Sequence, residues 1–223
     1  MLEGSPSISV FQLKVRLLGI NPMIWRRLLV SSDISLRELH GVLQVAMGWE
    51  GIHLFMFDKG AVHYGSLELG VMPANLTLQS LGLRENEKFH YFYDLNVSWQ
   101  HEIRIESVNV LGEGKALPSC IGGANICPPE DCGGVEGYLA RRDEAHGLDA
   151  FMDMGTIADF LHDILEDGDK ARVPDENQLE ELELVMDRMN ARKPFLSDKF
   201  SRRVINKAFR DGEHKRFMHL QIM

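Results

Sequence analysis

Phe11-Gln-Leu-Lys-Val-Arg-Leu-Leu18 alternates apolar and polar side chains. Because successive side chains of a strand point to opposite faces, this stretch predicts a half-buried β-strand. Asn21-Pro22 then interrupts the pattern, and Ile24 to Val30 is predicted to be the partner strand of a hairpin. The fold is therefore expected to begin as an antiparallel pair.

The next segment carries the signals of a helix. Ser35-Leu-Arg-Glu38 has the form of a capping box, in which the serine hydroxyl accepts from the amide of Glu38. Apolar residues from Leu36 to Met47 follow at helical spacing. We expect a helix over these residues, packed on the preceding hairpin.

Strands dominate the first half of the chain and helices the second. This order is typical of the α+β class, so we predict a mostly antiparallel or mixed sheet with helices packed on it and extra C-terminal helices. Strands are also predicted over residues 54–57, 61–64, 89–93, 98–107 and 217–222, and helices over residues 76–81, 157–165, 179–189 and 200–209, with a further helix from residue 138.

Charge is unevenly distributed along the chain. The net charge is -9, which disfavours nonspecific binding to polyphosphates. Residues 192–223 nevertheless contain nine basic and three acidic side chains. Nucleic-acid binding through one basic helix is one explanation; we favour pairing of this helix with the acidic helix before it. The basic side chains concerned are Arg202, Arg203, Lys207 and Arg210.

Three cysteines lie in one loop-rich segment: Cys120, Cys127 and Cys132, with six and then four residues between them. Thiolates held by one turn can bind zinc, although structural zinc sites usually have closer spacing. Buried structural thiols and a Cys127/Cys132 redox pair are the alternatives. A fourth zinc ligand would come from one of three histidines elsewhere in the chain, namely His53, His90 or His101.

Other residues capable of acid–base chemistry lie near these cysteines or on strands. Glu130 and Asp131 are adjacent, and two desolvated carboxylates can raise one another's pKa; solvation or helix capping is the alternative. His101 shares a predicted strand face with Trp99, so it is either a packed core residue or a base or ligand. His53 is open to the same two interpretations.

Several common classes of protein are not indicated by the sequence. There is no Gly-rich phosphate cradle, no Gly-x-Ser-x-Gly elbow and no His-Glu-x-x-His motif. No apolar run is long enough to span a membrane, and residues 1–9 lack the pattern of a signal peptide. We therefore expect a cytoplasmic protein with reduced thiols and no membrane partner.

Three groups of motifs carry a resemblance to a known family. They are Ile24-Trp-Arg-Arg27 with Leu36-x-x-Leu39-His40, Met47-Gly-Trp-Glu50 and His53-Leu54; Tyr93-Asp94 with Trp99-x-His101-Glu102-Ile103; and Cys120 with Cys127-Pro-Pro-Glu-Asp-Cys-Gly-Gly-Val135 and Gly137-Tyr138. This set resembles the plasmid pRiA4b ORF-3-like family, also known as insertion-sequence passenger proteins of TnpR type.

The resemblance implies an α+β domain over residues 9–165. Residues 166–223 fall outside the resemblance, and we predict that they form a helical extension packed on the same core. The resemblance also implies an association with plasmids or mobile elements, and it brings no established reaction. The family usually has Tyr-Asp-Phe-Gly-Asp where this chain has Tyr93-Asp94-Leu-Asn96-Val97. Asn96 can adopt the positive φ of the turn glycine, whereas Val97 cannot replace a carboxylate.

Our leading hypothesis is a cytoplasmic accessory or binding protein of plasmid or mobile-element type without catalysis. The alternative is a metal-dependent enzyme or nucleic-acid-processing factor that uses His53, Asp94, His101 and the Cys127–Cys132 loop. Either function would use a site assembled from His53, Asp94, Trp99, His101, Glu130 and Asp131. Any metal, with zinc the natural candidate, would be bound through the three cysteines.

Overall fold

The structure is a computed structural model that describes residues 9–110, 116–166, 175–196 and 199–218. Within these residues the strands are β1 (Ser9–Leu17), β2 (Trp25–Ser31), β3 (Phe55–Lys59), β4 (Val62–Gly65), β5 (Met72–Pro73), β6 (Lys88–Tyr93), β7 (Trp99–Val110) and β8 (Ser119–Ala124). The helices are α1 (Leu36–Met47), α2 (Gly134–Ala145), α3 (Leu148–Glu166), α4 (Glu176–Leu196), α5 (Arg202–Arg210) and α6 (Glu213–Arg216).

The strands form one mixed sheet in the order β5-β4-β3-β6-β7-β1-β2-β8. Every neighbouring pair is antiparallel except β4 and β5, which are parallel. The sequence-based prediction of an α+β fold is therefore confirmed. In β2 the buried positions alternate as Arg26, Leu28 and Val30, so a guanidinium takes an inward position beside two aliphatic side chains.

The predicted helix α1 begins after Ser35, whose side chain accepts from the amide of Glu38. Almost every residue of α1 is buried, on all sides of the helix, as expected of a helix enclosed between two layers. It lies on the sheet, where His40 Nδ1 and Gln44 Nε2 contact Tyr91 Oη at 2.7 and 2.8 Å. Its other neighbours are α5 and α6.

The chain divides into two compact units, residues 1–135 with 198–223 and residues 136–197. In the first unit α5 packs on β8 and α1. In the second unit α3 packs on α4, where Asp153 forms ion pairs with Arg188 and Arg192. The predicted domain boundary at residue 165, with the extension on the same core, stays a prediction.

Several local elements differ from the sequence-based predictions. β8 lies in a segment predicted as loop, because its strand geometry comes from pairing with β2. Residues 76–81 contain only a single 3-10 turn, Gln79–Leu81. The helix predicted for residues 157–165 begins earlier, since α3 starts at Leu148 and Thr156 within it donates to the carbonyl oxygen of Met152. Most of the strand predicted for residues 217–222 lies outside the described residues.

Candidate functional site

Two indoles fix the backbone of the Cys127–Cys132 loop. Trp49 Nε1 donates to the carbonyl oxygen of Pro128 at 2.9 Å, and Trp99 Nε1 donates to that of Glu130 at 3.3 Å. The two rings also contact each other, with centroids 5.3 Å apart. Both side chains are buried, so their indole groups hold the loop against the sheet.

Glu130 is part of this anchoring. Its carboxylate is buried and accepts from the hydroxyl of Tyr93 and, at 2.5 Å, from the amide of Glu50. Burial, and then the hydrogen bond to Glu130, raise the pKa of Tyr93. Glu130 therefore connects the loop to β6 and to the segment after α1, and its acceptor capacity is used within the protein.

His53 lies between two carboxylates. Its Nε2 is 3.3 Å from Asp131 Oδ1 and 3.6 Å from Asp94 Oδ2. The side chain of Asp131 is 74% exposed, whereas that of Asp94 is almost fully buried. Glu130 and Asp131 thus point in different directions, as expected for neighbours on an extended loop, and only Asp131 joins this cluster of polar side chains.

The turn after β6 positions Asp94. Asp94 and Ser98 adopt positive φ angles of 49° and 53°, whereas the sequence suggested Asn96 for that role. The other carboxylate oxygen of Asp94 accepts from the amide of Asn96 at 3.2 Å. One oxygen thus stabilises the turn, while the second faces His53.

His101 lies behind the Trp49 ring and not in the polar cluster. It is fully buried, and its ring meets Trp49 edge-on with centroids 5.4 Å apart. Neither ring nitrogen makes a hydrogen bond of normal geometry to a described residue. Burial lowers the pKa of His101 to about 4, so the ring is neutral at pH 7. The structure therefore brings His53, Asp94 and Asp131 together, whereas Trp99 and His101 are core residues that contact the Trp49 ring.

None of the three cysteines forms a disulfide, and all three thiols are buried. Burial raises the pKa of Cys120, and it raises the pKa of Cys127 to about 12. No group of three or more His, Cys, Asp or Glu side chains within the described residues is arranged to hold a metal ion. The structure therefore gives no support to the zinc site suggested by the cysteine spacing.

A cavity of about 870 Å³ in the first unit was not predicted from the sequence. It opens between the end of α1, the segment before the cysteine loop, and helices α5 and α6. Its walls are mainly apolar, with several charged side chains among them. The residues that line it are Arg26, Val45, Ala46, Met47, Gly48, Trp49, Glu50, Ile126, Cys127, Lys199, Phe200, Ser201, Val204, Ile205, Ala208, Glu213, Arg216 and Phe217.

One sequence signal could have indicated this cavity. Arg26 takes the place of an apolar side chain in the inward alternation of β2, and a charged residue at such a position needs partners. Its Nε donates to the carbonyl oxygen of Ala46 at 2.9 Å, and its guanidinium lies 4.5 Å from the ring centroid of Phe200. Trp49 and Cys127, which belong to the motifs quoted above, also line the cavity.

The basic side chains of α5 that were considered for nucleic-acid binding are exposed: Arg202, Arg203, Lys207 and Arg210. Two of them have partners within the protein. Arg202 Nη1 donates to the carbonyl oxygen of Ile121 at 3.2 Å, and Lys207 pairs with Asp211 at 2.7 Å. None of the described helices is apolar over a length that would cross a membrane.

Comparison with known proteins assigns the family. The family model described as plasmid pRiA4b ORF-3-like protein matches residues 9–149. The uncharacterized protein y4hQ of Sinorhizobium fredii is 37% identical over 148 residues, which cover 62% of this chain and 76% of y4hQ. A crystal structure of MM3350 from Methanosarcina mazei Go1, described as a protein of unknown function, matches with a TM-score of 0.60 and 30% identity, over 64% of this chain and 84% of that protein. The chain belongs to the plasmid pRiA4b ORF-3-like family.

Proposed function

We propose that this member of the plasmid pRiA4b ORF-3-like family is a cytoplasmic accessory protein that binds a small, largely apolar molecule in the cavity beside α1. The observation that carries the proposal is the cavity itself. Its volume of about 870 Å³ lies within the roughly 300–1,000 Å³ typical of small-molecule sites. Its lining, mainly apolar with a few polar groups, is also typical of such sites.

The residues around the cavity suit binding rather than catalysis. Burial raises the pKa of Cys127 to about 12, so this thiol is a poor nucleophile. The polar groups nearest the cysteine loop are engaged in holding the loop, as Glu130 is by Tyr93 and Glu50. We therefore assign the cavity a binding role without a chemical step.

The cellular setting is a proposal of the same kind. The three buried cysteines form no disulfide, which accords with a reducing compartment. The family description names a plasmid open reading frame, which supports a role connected with plasmids or mobile elements.

A neutral fluorescent dye, Nile red, tests binding in the cavity. Val204 and Arg203 are neighbouring exposed residues of α5, but only Val204 lines the cavity. We expect the dye to bind the wild type, and the variant Val204→Trp to weaken binding roughly tenfold, about 1.4 kcal/mol, because the indole fills the opening. The variant Arg203→Trp is the matched control and should bind like the wild type. Absence of dye binding, or equal affinity in both variants, would refute the proposal.

The polar cluster of His53, Asp94 and Asp131 remains a second candidate contact surface. The observation in its favour is that one imidazole nitrogen lies within 3.6 Å of two carboxylates, an arrangement suited to a polar partner. The variant His53→Ala serves to separate the two sites. If the cavity alone binds apolar molecules, this variant should keep the wild-type affinity for Nile red.

A further inference from the structure

Arg26 is a buried cation whose hydrogen-bonding capacity is only partly used. The residue is 3% exposed. Its Nε donates to the carbonyl oxygen of Ala46, and its Nη1 lies 2.9–3.0 Å from the carbonyl oxygens of Trp25, Ala124 and Asn125. These contacts cap the end of α1 and hold the segment after β8. They use two of the three guanidinium nitrogens.

The third nitrogen, Nη2, makes no hydrogen bond to a described residue. It carries two N–H donors, and this nitrogen is accessible to solvent. Since Arg26 lines the cavity, Nη2 is the donor that this side chain has left for a molecule bound there.

No described carboxylate forms an ion pair with Arg26. The ionisable groups that interact most with it are the thiols of Cys127 and Cys120, and burial raises the pKa of both. These thiols are therefore neutral at pH 7 and do not compensate the charge. A buried guanidinium without a counter-ion is costly, and a bound anion would offset part of that cost.

The other charged side chains of the cavity wall balance one another. Lys199 and Arg216 line the cavity together with the acids Glu50 and Glu213, so Arg26 supplies the net positive charge of the wall. Ser201, which also lines it, is the N-cap of α5. The N-terminus of a helix carries partial positive charge and free amide donors, so the start of α5 reinforces the preference for an anion.

The apolar part of the wall defines the remainder of the ligand. Phe200, Val204, Ile205 and Phe217 line the cavity, and Phe200 lies over the guanidinium at 4.5 Å. A multiply charged ion such as phosphate would leave these side chains without a partner and would require more than one buried donor group. A singly charged head with an apolar body fits both parts of the wall.

We propose that the cavity binds a small organic carboxylate, with the carboxylate on Arg26 Nη2 and the apolar body against the aromatic and aliphatic side chains of α5 and its flanking residues. This inference rests on the proposed binding function and specifies the ligand class for that site.

The test compares an acid with its neutral isostere. Phenylbutyrate and phenylbutyramide have nearly the same shape, and each is titrated against the full chain preloaded with Nile red, with inorganic phosphate as a third competitor. We expect phenylbutyrate to displace the dye at a concentration roughly tenfold to 100-fold lower than the amide, the range for a charge-assisted hydrogen bond. Phosphate should not displace it.

Variants assign the effect to Arg26. The variant Arg26→Met should abolish the preference for the acid, because methionine removes both the positive charge and Nη2. The matched control is Arg27→Met, since Arg27 pairs with Glu106 and does not line the cavity. Should Arg26→Met fail to fold by circular dichroism, the exposed variant Arg216→Glu replaces it. That variant should weaken the acid several-fold, in line with a partly screened charge, and leave the amide unchanged.

The outcomes separate the two proposals. If Nile red does not bind the wild type, the binding function itself is wrong. If the dye binds but acid and amide displace it equally, or phosphate displaces it as well as the acid does, the cavity binds small molecules and the carboxylate inference is wrong. An acid preference as large as that of the wild type in both Arg26→Met and Arg216→Glu would also overturn the inference.

Discussion

Arg26 and Arg27 are adjacent residues of β2 in opposite environments. Arg27 faces the partly exposed side of the sheet, where it pairs with Glu106 at 2.9 Å between Nη2 and Oε1. Arg26 faces inward and meets backbone carbonyl groups and an aromatic ring, but no carboxylate. A shift of one position along a strand thus separates a guanidinium in a surface ion pair from one that lines a cavity.

At the residue scale, we predict that Cys127 is inert towards alkylation in the folded protein although it lines the cavity. Burial raises its pKa to about 12, so the thiolate fraction at pH 8 is on the order of one in ten thousand. Iodoacetamide treatment followed by mass spectrometry should show little modification in the folded state and rapid modification in guanidinium chloride. Fast alkylation of Cys127 in the folded protein would contradict the burial and the raised pKa of this thiol.

A second residue-scale prediction concerns His101 and acid stability. Burial lowers its pKa to about 4, below the roughly 6.5 of an unfolded histidine. Between these two pKa values the unfolded chain binds a proton at this histidine that the folded chain does not. The contribution of the neutral His101 ring to the free energy of unfolding is therefore fully present above about pH 6.5 and is lost progressively as the pH decreases. The variant His101→Phe should reduce the loss of unfolding free energy between pH 7 and pH 5 by about 2 kcal/mol.

The measurement is chemical denaturation at the two pH values. His63 is an exposed histidine, and the variant His63→Phe should keep the wild-type difference between them. If His101→Phe also keeps the full difference, His101 is not the buried neutral imidazole that the structure shows.

At the scale of elements, α1 is enclosed by the sheet on one side and by α5 and α6 on the other. A Cβ atom added at Gly41 would lie 2.1 Å from the carbonyl oxygen of His214 in α6, which is far inside van der Waals contact. The absence of a side chain at Gly41 therefore permits α6 to approach α1. This contact also positions Glu213 and Arg216, which line the cavity.

We predict that Gly41→Ala destabilises the protein by about 1–3 kcal/mol, as expected for overpacking, and weakens binding of Nile red because α6 is displaced. Gly155 in α3 is the matched control, since a Cβ there meets nothing within 4 Å. Gly155→Ala should stabilise by about 0.5–1 kcal/mol through helix propensity. Thermal denaturation measures both effects, and equal stability of the two variants would contradict the close packing of α1 on α6.

The elements with strong local signals could be predicted from the sequence. The capping box at Ser35 and the apolar spacing gave α1 as Leu36–Met47, as the structure has it. β8 could not be predicted in this way, because Gly122 and Gly123 give it no alternating pattern and its geometry depends on β2. Likewise Pro194, usually a helix breaker, lies within α4.

The candidate site was only partly predictable for the same reason. Polar residues close in sequence, such as Glu130 and Asp131, could be named, but their different orientations depend on Tyr93 and His53. The cavity is lined by residues from segments far apart in the chain: residue 26, residues 45–50, residues 126–127 and residues 199–217. Local patterns do not show which of these segments meet.

At the scale of the whole molecule, the cavity depends on residues beyond the family match. The match covers residues 9–149, whereas α5, α6 and their flanking residues supply one wall from Lys199 to Phe217. The proposed ligand is therefore selected both by Arg26, Trp49 and Cys127 within the matched segment and by a C-terminal segment outside it.

The charge of the whole molecule leads to a prediction about nucleic acids. With a net charge of -9, and with two of the basic side chains of α5 engaged by Ile121 and Asp211, we expect no specific binding of a DNA duplex or single strand at physiological salt. Fluorescence anisotropy across a salt series measures this. Salt-sensitive binding that disappears when Arg202, Arg203, Lys207 and Arg210 are all replaced by alanine would contradict the expectation.

The most direct test of the proposed ligand class is a crystal structure of the full chain with phenylbutyrate. We predict electron density in the cavity with a carboxylate oxygen about 2.7–2.9 Å from Arg26 Nη2, the usual length of a charge-assisted hydrogen bond, and with the phenyl ring against Phe200 and Val204. A cavity without ligand at saturating phenylbutyrate, or a ligand whose carboxylate points away from Arg26, would contradict it.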